Sequence, residues 1–201
     1  MLTAPYTLER IPVETKLLPR AERRASILKG AAAAFARSGF GTTSMDDVAA
    51  ACGVTKLIVY RHFETKEELY RAILQSVFDR LGQELAQGLA QGLTRNLGAR
   101  VQLTVARDDP DGYRLLWRHA AREPMFADYA AQAREVSSAL VRQLLKLDSG
   151  DDVVDRWKAE LLMTYLIEAT LAWLDGGDAA RDEEFVETTS EGFRALLTAW
   201  R

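Results

Sequence analysis

Residues 44–63 read SMDDVAAACGVTKLIVYRHF and predict two short helices that meet at a glycine turn. Ser44 and Asp47 have the serine-x-x-acid spacing that caps the start of a helix, so the first helix begins after Ser44. Gly53 supplies a turn conformation that other residues reach only with strain. Thr55 is the expected N-cap of the second helix, which then runs to the end of the segment.

The second helix is amphipathic in a way that suits DNA. Helical periodicity turns Val59 toward the core and Leu57 and Arg61 outward, with Ile58 and Tyr60 on the flanks. Lys56 lies nearer the edge of the buried side, where its long side chain can still reach solvent. Two helices in this order form the helix-turn-helix pattern, in which the first holds the second outward to enter a major groove. Exposed Arg, Tyr and Lys side chains are the donors that contact base edges and phosphates.

The same helical periodicity continues on both sides of this segment. A first helix is expected over Arg20–Ser38, ended by Gly39. A fourth begins after Thr65, which repeats the capping pattern, and runs toward Leu93. Turn-forming residues divide the remainder into four or five more helices, and strand patterns are weak throughout. We therefore predict an all-α fold of about nine helices.

Composition excludes some classes of protein. A chain of 201 residues with 27% charged residues can bury a core without disulfides or metals. One cysteine, Cys52, rules out an intrachain disulfide framework, and we expect no metal site and no cofactor. The net charge of −3 hides an asymmetry, because residues 1–75 carry 11 basic and 8 acidic residues whereas residues 76–201 carry 15 and 21. An acidic average therefore does not exclude DNA binding.

No stretch predicts a membrane partner. The most apolar run, Leu161–Leu174, has 14 residues, whereas a transmembrane helix needs about 20, so it is interpreted as a buried core helix. Residues 1–19 contain three prolines and no apolar run of signal-peptide length, which predicts a flexible arm and a cytoplasmic protein. One interpretation of this arm is that Arg10 and Lys16 contact a DNA minor groove. The other interpretation is that the arm has no function.

Residues 20–75 resemble the N-terminal domain of TetR-family transcriptional regulators. The matching phrases are GFGTTSMDDV at 39–48, ACGVT at 51–55, VYRHF at 59–63 and KEEL at 66–69. The resemblance implies a three-helix DNA-binding domain at 20–75 and a larger effector-binding and dimerisation domain at 76–201. It further implies a homodimer on a palindromic operator, most often a repressor released by a small hydrophobic ligand.

Carried over by position, the resemblance implies a DNA face made of Thr43, Ser44, Thr55, Lys56, Leu57, Ile58, Tyr60, Arg61, His62 and Lys66. Lys66 would clamp a phosphate, or else be solvated beside neighbouring glutamates. Leu57 and Ile58 depart from the common family pattern of small or polar residues. They either pack against other helices, which is favoured for Ile58, or contact thymine methyl groups, which is the hypothesis for Leu57.

The C-terminal region predicts a dimer interface and a pocket. Two apolar helices, each contributing to a four-helix interface or to an ordinary monomer core, supply Trp157, Leu161, Phe185, Thr189, Gly192, Leu196 and Trp200. Aromatic-rich segments suggest a cavity for a roughly planar ligand, or plain core, and the candidates are Tyr113, Trp117, His119, Phe126, Tyr129, Met163, Tyr165, Glu168 and Trp173. Glu168 would face the ligand or pair with Arg114, Arg118 or Arg122.

Two other classes of protein compete with a DNA-binding regulator. An enzyme is disfavoured because the chain has no phosphate-binding loop, no Gly-x-Ser-x-Gly and no His-Glu-x-x-His motif. A protein-binding adaptor that has lost DNA affinity is disfavoured by the exposed basic side chains of the second helix. In the regulator hypothesis, the fourth helix carries ligand-induced movement from the C-terminal domain to the DNA.

Overall fold

The computed structural model describes residues 19–92 and 95–200, and within these ranges the regular structure is entirely helical. The α-helices are α1 (Arg20–Ser38), α2 (Met45–Ala51), α3 (Lys56–Tyr60), α4 (Lys66–Ala90), α5 (Leu97–Asp108), α6 (Pro110–Arg114), α7 (Ala127–Leu145), α8 (Asp152–Gly176) and α9 (Asp182–Ala199). The predicted all-α class and helix number are confirmed for this part of the chain. The predicted N-terminal arm, apart from Pro19, lies outside the described residues.

The first three helices and the start of α4 enclose a small core. Ile27 and Phe35 of α1, Val48 of α2 and Val59 of α3 are inaccessible to solvent. α1 packs against α2 and α4, and α2 packs against α3. The apolar periodicity of this region therefore places α3 at the surface with one buried side chain as its anchor.

Local hydrogen bonds fix the approach to α3. The Ser44 hydroxyl accepts from the Asp47 N–H while the Asp47 carboxylate accepts from the Ser44 N–H, which completes the predicted capping box. Hydrogen bonds that the Ser44 hydroxyl and the Ser44 N–H donate to the Asp47 carboxylate hold the pKa of Asp47 below its ordinary value. Gly53 adopts φ 62°, so the turn between α2 and α3 uses the left-handed conformation that glycine reaches at no steric cost.

Helix α3 is shorter than its sequence pattern predicts. It covers Lys56–Tyr60, and Thr55 occupies the N-cap position without a side-chain capping bond. The chain then continues as a turn in which the Phe63 N–H donates to the Val59 carbonyl at 3.0 Å. The turn is sufficient to bury Phe63, which is why the apolar spacing extends beyond the regular helix.

The C-terminal helices are layered around α5 and α8. α7 and α8 pack along each other, α5 packs between α4 and α8, and α9 packs on α5 and α8. α6 continues through a π-helical turn and a 3₁₀ turn toward residue 122, and α6 also packs against α1. Helix α4, 25 residues long, therefore belongs to both the N-terminal and the C-terminal cores.

An aromatic cluster joins these two cores. Phe126, at the start of α7, is fully buried, and its ring stacks on Tyr70 of α4 with centroids 4.3 Å apart. It also meets the Phe40 ring edge-on at 4.9 Å. Arg71 donates to the adjacent Met125 carbonyl at 2.9 Å. Phe126, just before α7, thus packs against α4 and the loop that follows α1.

Among the described residues, no helix is both long enough and apolar enough to cross a membrane. The apolar run 161–174 instead lies within α8, where Leu162, Leu166 and Ile167 are buried in the core.

Candidate DNA-binding surface and effector cavity

Helix α3 presents most of its side chains to solvent. Leu57 is 62% exposed and Tyr60 43% exposed, and Lys56 and Arg61 are exposed as well. Ile58 is half-buried against the core, as the packing interpretation favoured. An exposed leucine and tyrosine on a short helix have no internal role, so this face is available for a partner.

Lys56 is exposed but paired. Its Nζ lies 2.6 Å from a carboxylate oxygen of Asp46 on α2, and this hydrogen bond raises the pKa of Lys56. The pair was not predictable from sequence spacing, because the two residues lie on different helices. A phosphate that binds Lys56 must therefore compete with Asp46.

The expected side-chain contact of Thr43 with phosphate is wrong. Thr43 is only 2% exposed, and its hydroxyl donates to the Gly39 carbonyl at 2.7 Å, inside the loop that ends α1. Ser44 is exposed, but its hydroxyl is engaged with Asp47 in the capping box. The polar side chains before α2 thus hold the loop together.

Lys66 also differs from the expected free phosphate clamp. Its Nζ donates to the carbonyls of Phe40 at 2.8 Å and Thr43 at 3.0 Å, and it lies 4.4 Å from the centre of the Phe40 ring. A lysine at a helix N-terminus is locally unfavourable, and here two carbonyl oxygens and an aromatic face offset that cost. Lys66 ties the start of α4 to the loop before α2.

A basic group on α1, not predicted from the sequence, adjoins the recognition surface. Burial lowers the pKa of His62, and the nearby positive charges of Arg20, Arg24 and Arg23 lower it further. The Arg24 guanidinium lies 4.9 Å from the centre of the Phe63 ring. The sequence RAERR at 20–24 was the available signal. This arginine cluster extends the positive surface from α3 to the start of α1.

Part of the predicted dimer face is exposed on α8. Val153, Trp157 and Leu161 follow one another at four-residue spacing and are 64%, 57% and 36% exposed. Trp200, just after α9, lies beside Trp157 with ring centroids 6.1 Å apart, and Leu196 is half-buried on the same helix. Val153, Trp157, Leu161, Leu196 and Trp200 are hereafter called the α8–α9 patch.

Two other predicted interface residues are internal to the protomer. Phe185 is buried and stacks on Trp173, and Thr189 is buried as well. The interface prediction is therefore wrong for these two positions, because α9 turns them onto α5 and α8. Gly192 is half-buried and allows close approach within the chain, since an added Cβ would lie very close to the Tyr165 hydroxyl, and its place in a dimer interface stays a prediction.

A cavity of about 620 Å³ lies between α4, α5, α7, α8 and α9. Its wall is mainly aliphatic, and the leucines that line it are Leu81, Leu85, Leu89, Leu97, Leu140, Leu144, Leu145, Leu166 and Leu197. Phe78 and Phe193 are the aromatic residues among the described lining. The size and lining are those of a small-molecule site.

Among the nine predicted pocket residues, Met163 is the one that lines this cavity within the described ranges. The other eight predicted residues do not line this cavity; they are Tyr113, Trp117, His119, Phe126, Tyr129, Tyr165, Glu168 and Trp173. The aromatic rings among them are mostly core. Tyr129 donates to Gln75 at 2.9 Å, Tyr165 to the Thr189 carbonyl at 3.2 Å, and Trp173 to Asp182 at 2.7 Å.

Glu168 is exposed and has no ion pair with the arginines considered for it. Arg114 and Arg118 bind Asp175 instead, at 3.1 and 2.8 Å. The sequence signal available for the cavity was the four-residue spacing of leucines on α4, at positions 81, 85 and 89. The prediction favoured large aromatic side chains, whereas leucines make up most of the cavity wall.

The fold, the exposed α3 and the cavity define the class of protein: a helix-turn-helix transcriptional regulator. The family model for bacterial regulatory proteins of the tetR family matches residues 27–73. The chain is 31% identical over 178 residues to the HTH-type transcriptional activator FasR of Mycolicibacterium smegmatis, covering 86% of this chain and 81% of that one. The chain belongs to the TetR family.

Solved structures share the fold. A TetR-like transcriptional regulator from Rhodococcus sp. RHA1 superposes with a TM-score of 0.71 at 24% identity, covering 92% of this chain and 97% of that chain. AibR, solved in complex with isovaleryl coenzyme A and operator DNA, superposes with a TM-score of 0.62 at 19% identity, covering 84% and 96%.

Proposed function

We propose that the protein binds a palindromic operator as a homodimer and that a small hydrophobic ligand in the cavity controls this binding. One observation carries the proposal: α4 begins three residues after the turn that follows α3, and its second half walls the cavity through Phe78, Leu81 and Leu85. A ligand that moves this wall acts on the element that positions α3.

The proposal assigns DNA contacts to the side chains of this region that are exposed to solvent. Leu57, Tyr60 and Arg61 of α3 meet base edges and nearby phosphates, with Lys56 and Thr55 at the edge of the same surface. Ser44 and His62 lie beside phosphates. Thr43 and Lys66 are left out as side-chain contacts because their polar atoms serve the loop before α2.

The aromatic cluster supplies a second route from cavity to DNA-binding domain. α7 lines the cavity through Val141 and Leu145 and begins at Phe126, which is set between Phe40 and Tyr70. Lys66 in turn holds the Phe40 carbonyl. Displacement of α7 by a ligand therefore changes packing at the loop before α2 as well as along α4.

Whether the protein represses or activates transcription is a separate part of the proposal. The sequence resemblance predicts a repressor, whereas the Mycolicibacterium relative is named an activator. Both outcomes use the same DNA contacts, and no enzymatic role is proposed. A reporter placed under the protein's operator, with and without the gene, distinguishes them: repression predicts higher expression when the gene is absent.

Selection of bound sites from random duplexes tests operator binding. The proposal expects an inverted repeat whose half-site centres are about one helical turn, ~34–36 Å, apart or a multiple of it. With roughly 6–10 phosphate contacts, affinity is expected to fall about 10³- to 10⁵-fold between 50 and 200 mM salt. Absence of any enriched site would favour the adaptor alternative.

Leu57 is expected to read thymine. A 62% exposed leucine at the outer face of α3 gains apolar contact from a C5-methyl group in the major groove. Replacing the contacted thymines by uracil should weaken binding, and the Leu57→Ala variant should bind both duplexes alike. Titration of labelled duplexes measures both. Equal affinity of the normal protein for thymine and uracil duplexes would refute the contact.

Trp157 is expected to hold the dimer. Each isologous interface contains this 57% exposed ring twice, so Trp157→Glu places two charges in an apolar contact. The dimer dissociation constant should rise at least about 30-fold. Sedimentation velocity measures the change, with Gln143→Glu on exposed α7 as the control. A Trp157→Glu protein that remains dimeric like the control would remove the α8–α9 patch from the interface.

A further inference from the structure

The cavity wall contains two buried polar side chains among its aliphatic residues. Gln102 of α5 and Ser190 of α9 both line the cavity, and each is only 6% exposed. Polar side chains this deeply buried normally have hydrogen-bond partners within the protein. The hydrogen bonding of these two side chains therefore indicates which kind of ligand atom the cavity can accept.

The Ser190 hydroxyl has no hydrogen-bond partner among the described residues. An unpaired buried hydroxyl costs free energy, so an unsatisfied one in a cavity wall marks a position where a ligand atom can complete the bond. Ser137 on α7 provides the contrast. It lines the same cavity, but its hydroxyl donates to the Ala133 carbonyl at 2.8 Å.

Gln102 is held in one orientation by a buried tyrosine. The Tyr113 hydroxyl, fully buried, donates to Gln102 Oε1 at 2.7 Å. Burial raises the pKa of Tyr113, so its hydroxyl stays protonated and remains a donor. With Oε1 engaged by Tyr113, the Nε2 amide group is the part of Gln102 left to donate to a ligand.

The charged side chains that line the cavity differ from Ser190 and Gln102 in their exposure to solvent. Arg194 and Arg95 are exposed, and Arg194 already donates to Asn96 Oδ1 at 2.9 Å. The buried part of the wall thus offers neutral donors, which suit a neutral acceptor. A carboxylate placed there would lose its hydration without gaining a counter-charge.

We propose that the effector is an uncharged aliphatic molecule with a carbonyl oxygen, which accepts hydrogen bonds from Ser190 and Gln102 inside the cavity. The inference rests on the proposed function, because it specifies the ligand of the same cavity. Aliphatic side chains surround the carbon chain of the ligand, and the two donors select for the oxygen. Ser190 and Gln102 are specificity-determining residues in this assignment.

Three probes of matched chain length test the ligand chemistry on the full-length protein: octane, 2-octanone and octanoate. We expect 2-octanone to bind about tenfold more tightly than octane, because two neutral hydrogen bonds are gained. In Ser190→Ala, affinity for 2-octanone should fall about fivefold, whereas affinity for octane should not change. Ser137→Ala is the matched control and should bind all three probes as the unaltered protein does. Calorimetric titration supplies the dissociation constants.

The ligand-free protein gives a second readout. Removing an unpaired hydroxyl should leave the melting temperature of Ser190→Ala unchanged or raised, whereas Ser137→Ala loses a hydrogen bond and should melt lower. A structural role for Ser190 predicts the opposite. The inference is overturned by equal binding of octane and 2-octanone, by tightest binding of octanoate, by binding of none, or by a Ser190→Ala protein that melts as low as the control.

Operator affinity separates this inference from the proposed function. If 2-octanone binds through Ser190 without changing operator affinity, the ligand chemistry stands and the proposed control of DNA binding fails. If another ligand class releases or recruits the protein to DNA while the ketone does not bind, the proposed function stands and the carbonyl assignment fails.

Discussion

Arg61→Ala is expected to remove most specific operator binding while leaving the fold intact. Arg61 is exposed at the end of α3 and makes no ion pair with a described residue. Loss of one arginine–base contact costs about 1–3 kcal/mol, and a dimer loses two, so the operator dissociation constant should rise at least about 30-fold. Mobility-shift titration at fixed salt concentration measures the change.

Arg181→Ala is the control for charge alone. Arg181 is exposed beyond α8 and pairs with Glu184 at 2.6 Å, far along the chain from the recognition surface. Its removal should change operator affinity little, and both variants should unfold at the same urea concentration as the unaltered protein. If Arg61→Ala bound operator as tightly as Arg181→Ala, α3 would lose its role as the reading element.

Phe126→Ala is expected to produce the largest loss of stability. The Phe126 ring is fully buried and touches Tyr70 and Phe40, so truncation leaves a cavity at the junction of the two cores. Phe→Ala changes at such sites cost about 3–5 kcal/mol of unfolding free energy. Urea denaturation followed by far-ultraviolet circular dichroism measures the loss.

Met125 supplies a neighbouring control. Its side chain is 52% exposed, so Met125→Ala should change the unfolding free energy by less than about 0.5 kcal/mol. Similar losses for the two variants would mean that the aromatic cluster is not a shared core. A biphasic transition in Phe126→Ala alone would show that the ring holds the domains in one cooperative unit.

The elements near α3 were predictable because their signals are local. The local signals are the capping pairs that begin at Ser44 and Thr65 and the glycine at 53. Each acts over three or four residues, so it can be recognised directly from the spacing of residues in the sequence. The boundaries of α1 were predicted for the same reason. The burial of Val59 and the exposure of Leu57 then follow from helical periodicity alone.

The candidate site was harder to predict, because it depends on contacts between residues that are far apart in the sequence. Lys66 was expected to be free, but its partners are carbonyls more than twenty residues earlier in the chain. Aromatic residues such as Phe126 and Trp173 were expected at the cavity because they are large, yet they pack in cores where large rings bury most area. Which leucines face a void is decided by how α7 packs on α8, a non-local arrangement.

The Asp46–Lys56 pair has a consequence for how the protein searches a genome. Asp46 neutralises Lys56, so the pair adds little attraction to the backbone of any duplex, and transient encounters with arbitrary sequence are weakened. At a cognate site, base contacts offset the missing attraction. Together with the net charge of −3, the pair should shorten residence on unrelated DNA and keep more copies free to sample new positions.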